Sequence, residues 1–396
     1  MTNPQETKYQ DAPYSLRERI IALTLMLVML AGAWQAIQAW TPWGGIELPN
    51  GWTAFREGRT THAVEDALNE KLPQRAHIIA VANSARWALL RGGGTDVTVG
   101  RGGWLFLTEE LRSDPVKSTQ VDPLKARLDL LQKTQQALAV QDIDLLIALV
   151  PDKARLYPSV PLPDGYPDYA KPRYQNVLDG LRERNVASID LFTPFSKSVA
   201  ESPLYYRTDT HWNSRGARLA ATTIATRARQ MQACTGDKTY KTRDDGAAVE
   251  RPGDLLHMMG LADTQLLPRP RPDKDQPQVT EEVSPEQASD SGLGLFGDVS
   301  IPITLVGTSF SLRGNFHGAL QEALSCEVLN AARDGAGFLQ SMKDYVKDDA
   351  FRTAKPNLII WEVPERFLTL PLDADTGKQS ESDTSWLRDI GLQQPD

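Results

Sequence analysis

The sequence predicts an α/β fold with a mainly parallel sheet, preceded by an N-terminal transmembrane helix. Three observations predict it. Helix-like and strand-like segments alternate from Pro123 to about Leu370, the pattern of a parallel sheet with crossover helices. Residues 143–150 and 358–363 are apolar apart from Asp144 and Glu362, as in strands buried on both faces. Residues 20–40 are apolar except for Thr24, Gln35 and Gln38, and about 20 such residues cross a hydrocarbon core.

Composition narrows the function classes. The chain has 396 residues, 41% hydrophobic and 24% charged, which suits a large globular domain with attachments. Forty-three Lys and Arg against 51 Asp and Glu give a net charge of −8. That leaves no basic footprint for nucleic acid. Two cysteines, Cys234 and Cys326, exclude a cysteine-rich zinc module and permit at most one internal bridge.

Taken in order, residues 1–19 carry Lys8, Arg17 and Arg19, and Trp34, Trp40 and Trp43 cluster at the far end of the span. The positive-inside rule places residues 1–19 in the cytoplasm, 20–40 as a signal anchor and the rest outside. A cleaved signal peptide competes, with 20–30 as its apolar core and Ala31-Gly32-Ala33 as an A-x-A-like site. Both readings export the body.

Residues 41–122 form a lead-in. The stretch 62–90 has helical spacing, divided by Pro73, and its His62 and His77 read as exposed or capping groups. Gly92-Gly93-Gly94 ends it. Gly100-Arg101-Gly102-Gly103-Trp104-Leu105-Phe106-Leu107 reads as a tight turn into a strand. It has neither phosphate-loop nor dinucleotide-binding spacing. The α/β domain spans 123–370, with helices at 124–140, 174–184, 215–230, 316–324 and 338–347. Its strands are 143–150, 186–191, 301–306, 328–330 and 358–363. Residues 268–291, rich in Pro, Asp, Glu, Gln and Ser, read as a flexible insertion, and 371–396 as a loose polar tail.

Ligands in such sheets sit beyond the carboxyl ends of strands. One strand end runs Val306-Gly307-Thr308-Ser309-Phe310-Ser311, where a fold of this kind exposes a nucleophilic hydroxyl beside backbone N–H groups. Alone, a serine there is usually a turn or a helix cap. A second segment runs Asp209-Thr210-His211-Trp212 just before a helix. In a bent loop Asp209 can hold His211 Nδ1–H and leave Nε2 as a base. A metal site needs more ligands than these, and His257 is the only other histidine nearby, so no metal and no cofactor is expected. A third strand end, Val150-Pro151-Asp152-Lys153-Ala154-Arg155-Leu156-Tyr157, offers Lys153, Arg155 and Tyr157 to an anionic sugar, or is a solvated loop.

Together these motifs resemble the alginate O-acetyltransferases AlgJ and AlgX, SGNH-hydrolase-like proteins of exopolysaccharide acetylation. The segment Ile359-Ile360-Trp361-Glu362-Val363-Pro364-Glu365-Arg366 is similar too. The resemblance covers about residues 50–370, and the anchor is closer to AlgJ; the polar tail leaves no room for the carbohydrate-binding module of AlgX. It implies a permuted SGNH three-layer sandwich, with Asp209 and His211 preceding the serine. It further implies Ser309 as nucleophile, His211 as base and Asp209 as its orienter. Asn315 is a candidate for the oxyanion hole and equally a helix cap.

The activity implied is transfer of acetyl through a serine ester to hydroxyls of a bacterial exopolysaccharide, alginate by default, in the periplasm. A membrane-bound O-acyltransferase would supply the acetyl group, alongside other acetylation and secretion proteins at the inner membrane. The rivals are a carbohydrate acetyl esterase with the same triad and a non-catalytic polysaccharide-binding scaffold. Export makes a Cys234–Cys326 disulfide admissible, and two buried thiols remain the alternative.

Overall fold

The computed structural model describes residues 52–56, 60, 75–111, 122–158, 160, 162, 165–265, 267–283, 301–370 and 384–391. It also describes residues 23, 26, 27, 29–32 and 34. The chain divides into two units, residues 1–82 and 83–396. In the first, the described residues from Leu23 to Trp34 are helical, and Leu23, Met26, Leu27, Met29, Leu30 and Trp34 are exposed. The rest of the predicted span 20–40 lies outside the described residues, as do 1–19, His62 and Pro73. Among the described residues no helix is long and apolar enough to cross a membrane.

In chain order the elements that position the site are α1 (Arg75–Leu90), β1 (Val97–Val99), β2 (Leu105–Leu107), α2 (Pro123–Ala139), β3 (Asp144–Val150), α3 (Arg173–Glu183), β4 (Ser188–Asp190), α4 (Ser214–Gln230), β5 (Tyr240–Asp244) and β6 (Val249–Arg251). There follow α5 (Asp254–Met258), β7 (Asp273–Asp275), β8 (Gln278–Glu282), β9 (Ile303–Val306), α6 (Phe316–Leu324), β10 (Val328–Asn330), α7 (Gln340–Tyr345), β11 (Leu358–Pro364) and α8 (Leu387–Gly391). Both β10 and α6 lie where the apolar spacing puts them. The longer strands and helices shift by a residue or two at their ends.

The central sheet has the order β10-β9-β11-β3-β4 and is parallel throughout. Its long pair is β11 on β3, in register from Leu358↔Asp144 to Pro364↔Val150. The period of two splits each strand between two cores. Leu146, Ala148, Val150, Leu358 and Ile360 face α4 and α6, while Leu145, Ile147, Leu149, Ile359 and Trp361 face α2 and α3. This two-sided burial is why β3 and β11 carry no polar alternation.

Helix starts follow local chemistry. Asp122 accepts from Leu124 N with Pro123 at the first position, and Asn213 accepts from Arg215 N and Gly216 N. The glycine-rich turn does lead into a strand, β2, and β2 pairs antiparallel with β1.

Three expectations change. The segment read as a flexible insertion contains β7 and β8, which pair antiparallel with β6 and β5. Its composition cannot build a core alone, but its backbone completes two ladders. Residues 284–291 lie outside the described residues. The tail read as loose contains α8, whose Ile390 joins Trp386 in the α2–α3 core. Finally, Cys234 and Cys326 form a disulfide, so the two-thiol alternative falls. It joins the segment after α4 to the segment after α6.

Candidate active site

Ser309 follows β9, after Gly307 and Thr308, and opens a short 3-10 turn, Ser309–Leu312. Its loop is tied to the middle of the sheet by Glu362 of β11, a fully buried carboxylate. Glu362 Oε2 accepts from Thr308 N at 2.7 Å, Thr308 Oγ1 at 3.0 Å and Ser311 Oγ at 3.0 Å. Gly307 makes this approach possible, because a Cβ there would lie 2.6 Å from Glu362 Oε2. Burial pushes the Glu362 carboxyl above its ordinary value, and the Thr308 and Ser311 bonds oppose that rise. Ser311 is fully buried and committed to Glu362, whereas Ser309 is half-buried. Ser309 is therefore the serine a substrate can reach. Thr308 N–H is taken by Glu362. Ser309 N–H opens the 3-10 turn, has no earlier carbonyl in that turn and makes no hydrogen bond among the described residues.

Asp209 and His211 lie on the loop before α4. An isolated antiparallel bridge, Tyr205↔Trp212, closes the loop at its base. Asp209 Oδ1 accepts from His211 N at 2.9 Å, which bends the chain back on itself. The same oxygen lies 2.6 Å from His211 Nδ1, and His211 Nε2 lies 2.7 Å from Ser309 Oγ. A carboxylate only accepts, so Nδ1 carries the proton and Nε2 is left to accept from the Ser309 hydroxyl. Burial raises the Asp209 carboxyl, but its side-chain and backbone bonds to His211 and the nearby Arg251 outweigh this and hold it well below the usual range. Asp209 Oδ2 also accepts from Asp254 N at 3.3 Å and lies 3.4 Å from an Arg251 nitrogen.

Trp212 locks the two loops together. Its Nε1–H donates to Phe310 O at 3.1 Å, and its ring packs on Phe310 and Phe316. Phe310 in turn lies against the His211 ring, centroids 4.7 Å apart.

The rest of the base loop is held by residues of α5 and β7. Asp273 accepts from Arg207 N at 2.9 Å, Thr208 N at 2.8 Å and Thr208 Oγ1 at 2.6 Å. Asp275 accepts from Tyr206 Oη. Asp254 accepts from Thr210 N at 2.7 Å and from Thr210 Oγ1. Gly253 lets this segment lie flush on the loop, since a Cβ there would sit 2.1 Å from Thr208 O.

A strand-end serine, an imidazole and a carboxylate in hydrogen-bond series, on a parallel sheet, can carry out acyl transfer. The family model described as "SGNH hydrolase-like domain, acetyltransferase AlgX" matches residues 97–365. The chain belongs to this AlgX acetyltransferase family. It is 31% identical over 335 residues to the probable alginate O-acetylase AlgJ of Pseudomonas putida, covering 84% of each chain. It is 28% identical to the alginate biosynthesis protein AlgX of Pseudomonas syringae, over 68% of this chain and 55% of that one. The solved O-acetyltransferase domain of Pseudomonas putida AlgJ superposes with a TM-score of 0.62 at 32% identity, covering 74% of this chain and 98% of that domain. Pseudomonas aeruginosa AlgX superposes at 0.56 and 26% identity, over 75% of this chain and 66% of that one. The fold is thus SGNH-hydrolase-like, and the protein is an O-acetyltransferase of the AlgX family.

The other residues singled out from the sequence are placed differently in this AlgX-family chain. Lys153 is buried, with its Nζ on three main-chain carbonyls. Arg155 Nε donates to Glu365 Oε2 at 2.8 Å, and its terminal nitrogens reach Glu365 Oε1 and the carbonyls of Ala170 and Lys171. Tyr157 Oη accepts from Leu204 N and Tyr205 N at 2.9 and 3.1 Å. None of the three offers its polar end to a substrate. The charge on this strand end turns inward, because its loop is covered by β2 and the base loop. Asn315 stands at the N-cap position of α6 in left-handed conformation, makes no side-chain cap bond, and donates from Nδ2 to Thr280 Oγ1 at 2.8 Å. Its side chain is spent on β8 instead of on Ser309 or the helix start.

Asp209, His211 and Asp254 are the group of three acidic or imidazole donors close enough to share an ion among the described residues. Each is already satisfied: His211 by Asp209 and Ser309, Asp254 by Thr210 and Asp209 by His211 and Arg251. The cluster is explained without a metal. Sequence reasoning missed Glu362, Asp254 and Asp273. Only Glu362 carries a signal, a lone acid inside an apolar strand.

Proposed function

We propose that Ser309, His211 and Asp209 are the nucleophile, base and orienting carboxylate of acetyl transfer to a bacterial exopolysaccharide. The observation that carries this is the continuous series Ser309 Oγ–His211 Nε2 at 2.7 Å and His211 Nδ1–Asp209 Oδ1 at 2.6 Å. Ser309 Oγ attacks the acetyl carbonyl carbon of the donor while Nε2 takes its proton. The tetrahedral oxyanion accepts from Ser309 N–H. Collapse expels the donor's leaving group, which takes the proton from Nε2, and leaves acetyl-Ser309. A sugar hydroxyl then gives its proton to Nε2 and attacks the ester. The second collapse returns the proton to Ser309 Oγ and releases the O-acetyl sugar.

Alginate is the substrate that the relatives' names support. The periplasm, with residues 20–40 as an inner-membrane anchor, is supported by Arg17 and Arg19 before the span and by the exposed Leu23, Met26, Leu27, Met29, Leu30 and Trp34. An exported enzyme lacks cytoplasmic acetyl-CoA, so a membrane-bound O-acyltransferase is its fitting donor.

Mass spectrometry of polymannuronate incubated with the full chain and an acetyl ester tests the reaction: O-acetyl sugars are expected, and free acetate alone would make it an esterase. N-terminal sequencing of the mature protein tests the anchor. Trp34 as first residue would show cleavage.

A further inference from the structure

Three sequence motifs meet at one atom. Lys153 Nζ donates to Leu105 O at 2.6 Å, Arg207 O at 2.9 Å and Asp209 O at 2.9 Å. Lys153 belongs to the Val150-Pro151-Asp152-Lys153 strand end, Leu105 to the Gly103-Trp104-Leu105-Phe106 turn, and Asp209 to the base loop. An ammonium has three N–H groups, and all three are used. The rings of Trp104 and Phe106 cover the cation at 5.3 and 5.2 Å. Arg207 O additionally accepts from Leu105 N at 3.0 Å, so the hairpin and the base loop are joined on both sides of the lysine.

We infer that Lys153 is a positioning residue for acetyl transfer, its ammonium fixing the main chain at Asp209 and thereby the His211 ring against Ser309. The inference rests on the reading of those three residues as the reacting set. Asp209 is held at two points: its carbonyl by Lys153, its carboxylate by Arg251 and Asp254 N. With both ends of the residue fixed, the carboxylate oxygen facing Nδ1 has one position. A neutral amine has two N–H groups and a lone pair. One of the three carbonyls would then face the lone pair, and the loop would shift.

The proton is within reach of ordinary buffers. Burial lowers the Lys153 pKa to about 8, against the opposing pull of Glu110 (from the turn after β2), Asp209 (base loop), Asp273 (β7) and Asp254 (α5). The sign separates catalysis from folding. A lysine whose folded pKa lies below its unfolded one binds fewer protons folded than unfolded between the two. Its contribution to stability therefore rises from about pH 8 to 10.5. A fall in activity over that range is loss of positioning and not loss of fold from this group.

The test is the pH dependence of p-nitrophenyl acetate turnover by the full chain from pH 6 to 10. Ser309→Ala is subtracted as the blank, and melting temperature is followed in parallel. The wild type should lose kcat above about pH 8, with KM steady. Lys153→Arg, charged throughout, should lose that alkaline fall. Lys153→Met should lower kcat about 10²-fold at pH 7, as expected for a catalytic group displaced by about 1 Å. An alkaline limb shared by wild type and Lys153→Arg would overturn the inference even if Lys153→Met does not fold. So would a folded Lys153→Met with wild-type kcat. Turnover that persists in Ser309→Ala would sink the triad reading instead, which keeps the two failures apart.

Discussion

The loop that carries Ser309 is held from beneath. Its anchor, Glu362, sits in the middle of the central sheet with no exposure, and every bond it makes goes to Thr308 or Ser311. The loop that carries Asp209 and His211 is held from outside and from one flank. Asp273, Asp275 and Asp254 reach it from short elements between α4 and β9, and Lys153 from the end of β3. The difference teaches which substitutions should hurt most. A lost partner in a closed core leaves an N–H with nothing else to bond. A lost partner near solvent can be replaced by water.

The largest effects come from the groups shared by both loops. Ser309→Ala and His211→Ala should each lower acetyl transfer by about 10³-fold or more, and the double variant should be scarcely worse, because the residues act as a unit. Asp209→Asn should cost somewhat less. Asp254 Oδ2 stands 3.4 Å from His211 Nδ1 and offers a second carboxylate. Steady-state rates on one polymer acceptor check all four.

Next come the two clamps, which put the comparison itself at risk. Glu362→Leu strands Thr308 N–H in the core, and should cost about 1–3 kcal/mol of stability together with a deep loss of kcat. Asp273→Ala should cost less, about 1 kcal/mol, because Asp273 is itself half-buried and water can enter where its carboxylate met Arg207 N and Thr208 N. Denaturant melts paired with kcat measure both. Equal losses would erase the distinction between the inner and the outer clamp.

The smallest effect on rate should come from the disulfide. It joins Cys234 and Cys326 across 92 residues, at the far end of the 17-residue α4 from His211. A helix of that length puts the bridge about 25 Å from the site. Reduction, or Cys234→Ser with Cys326→Ser, should remove about 4.6 kcal/mol on the chain-entropy view while kcat holds, as thermal melts with and without reductant would show.

The same contrast explains what was legible in the sequence. Buried elements announce themselves. The apolar runs of β3 and β11 and the spacing of α6 locate the sheet and its helices within a residue or two, and Gly307-Thr308-Ser309 falls where a parallel sheet ends. Asp209 and His211 are readable because they are two residues apart and chemically complementary. The supports are not readable, because each acts on partners distant in the chain. Asp273 lies 65 residues from Thr208, in a stretch whose composition says only that it cannot form its own core. Lys153 and Arg155 look like surface cations, and nothing local shows that three carbonyls or Glu365 await them. Trp386, Leu387 and Ile390 make a single apolar turn in a polar tail, too short to reveal a docking helix. Glu362 is the exception. An acid between Trp361 and Val363 in a strand buried on both faces has to find donors, and the nearest strand end supplies them.

The acyl-enzyme can be trapped by brief exposure of the full chain to a slow activated acetyl ester and read by peptide mass spectrometry. One acetyl group is expected on Ser309, absent in His211→Ala, and lost on adding polymer acceptor with matching O-acetyl on the sugar. Acetyl on Ser311 with Ser309 unmodified, or acetylated polymer from a Ser309→Ala protein, would contradict it.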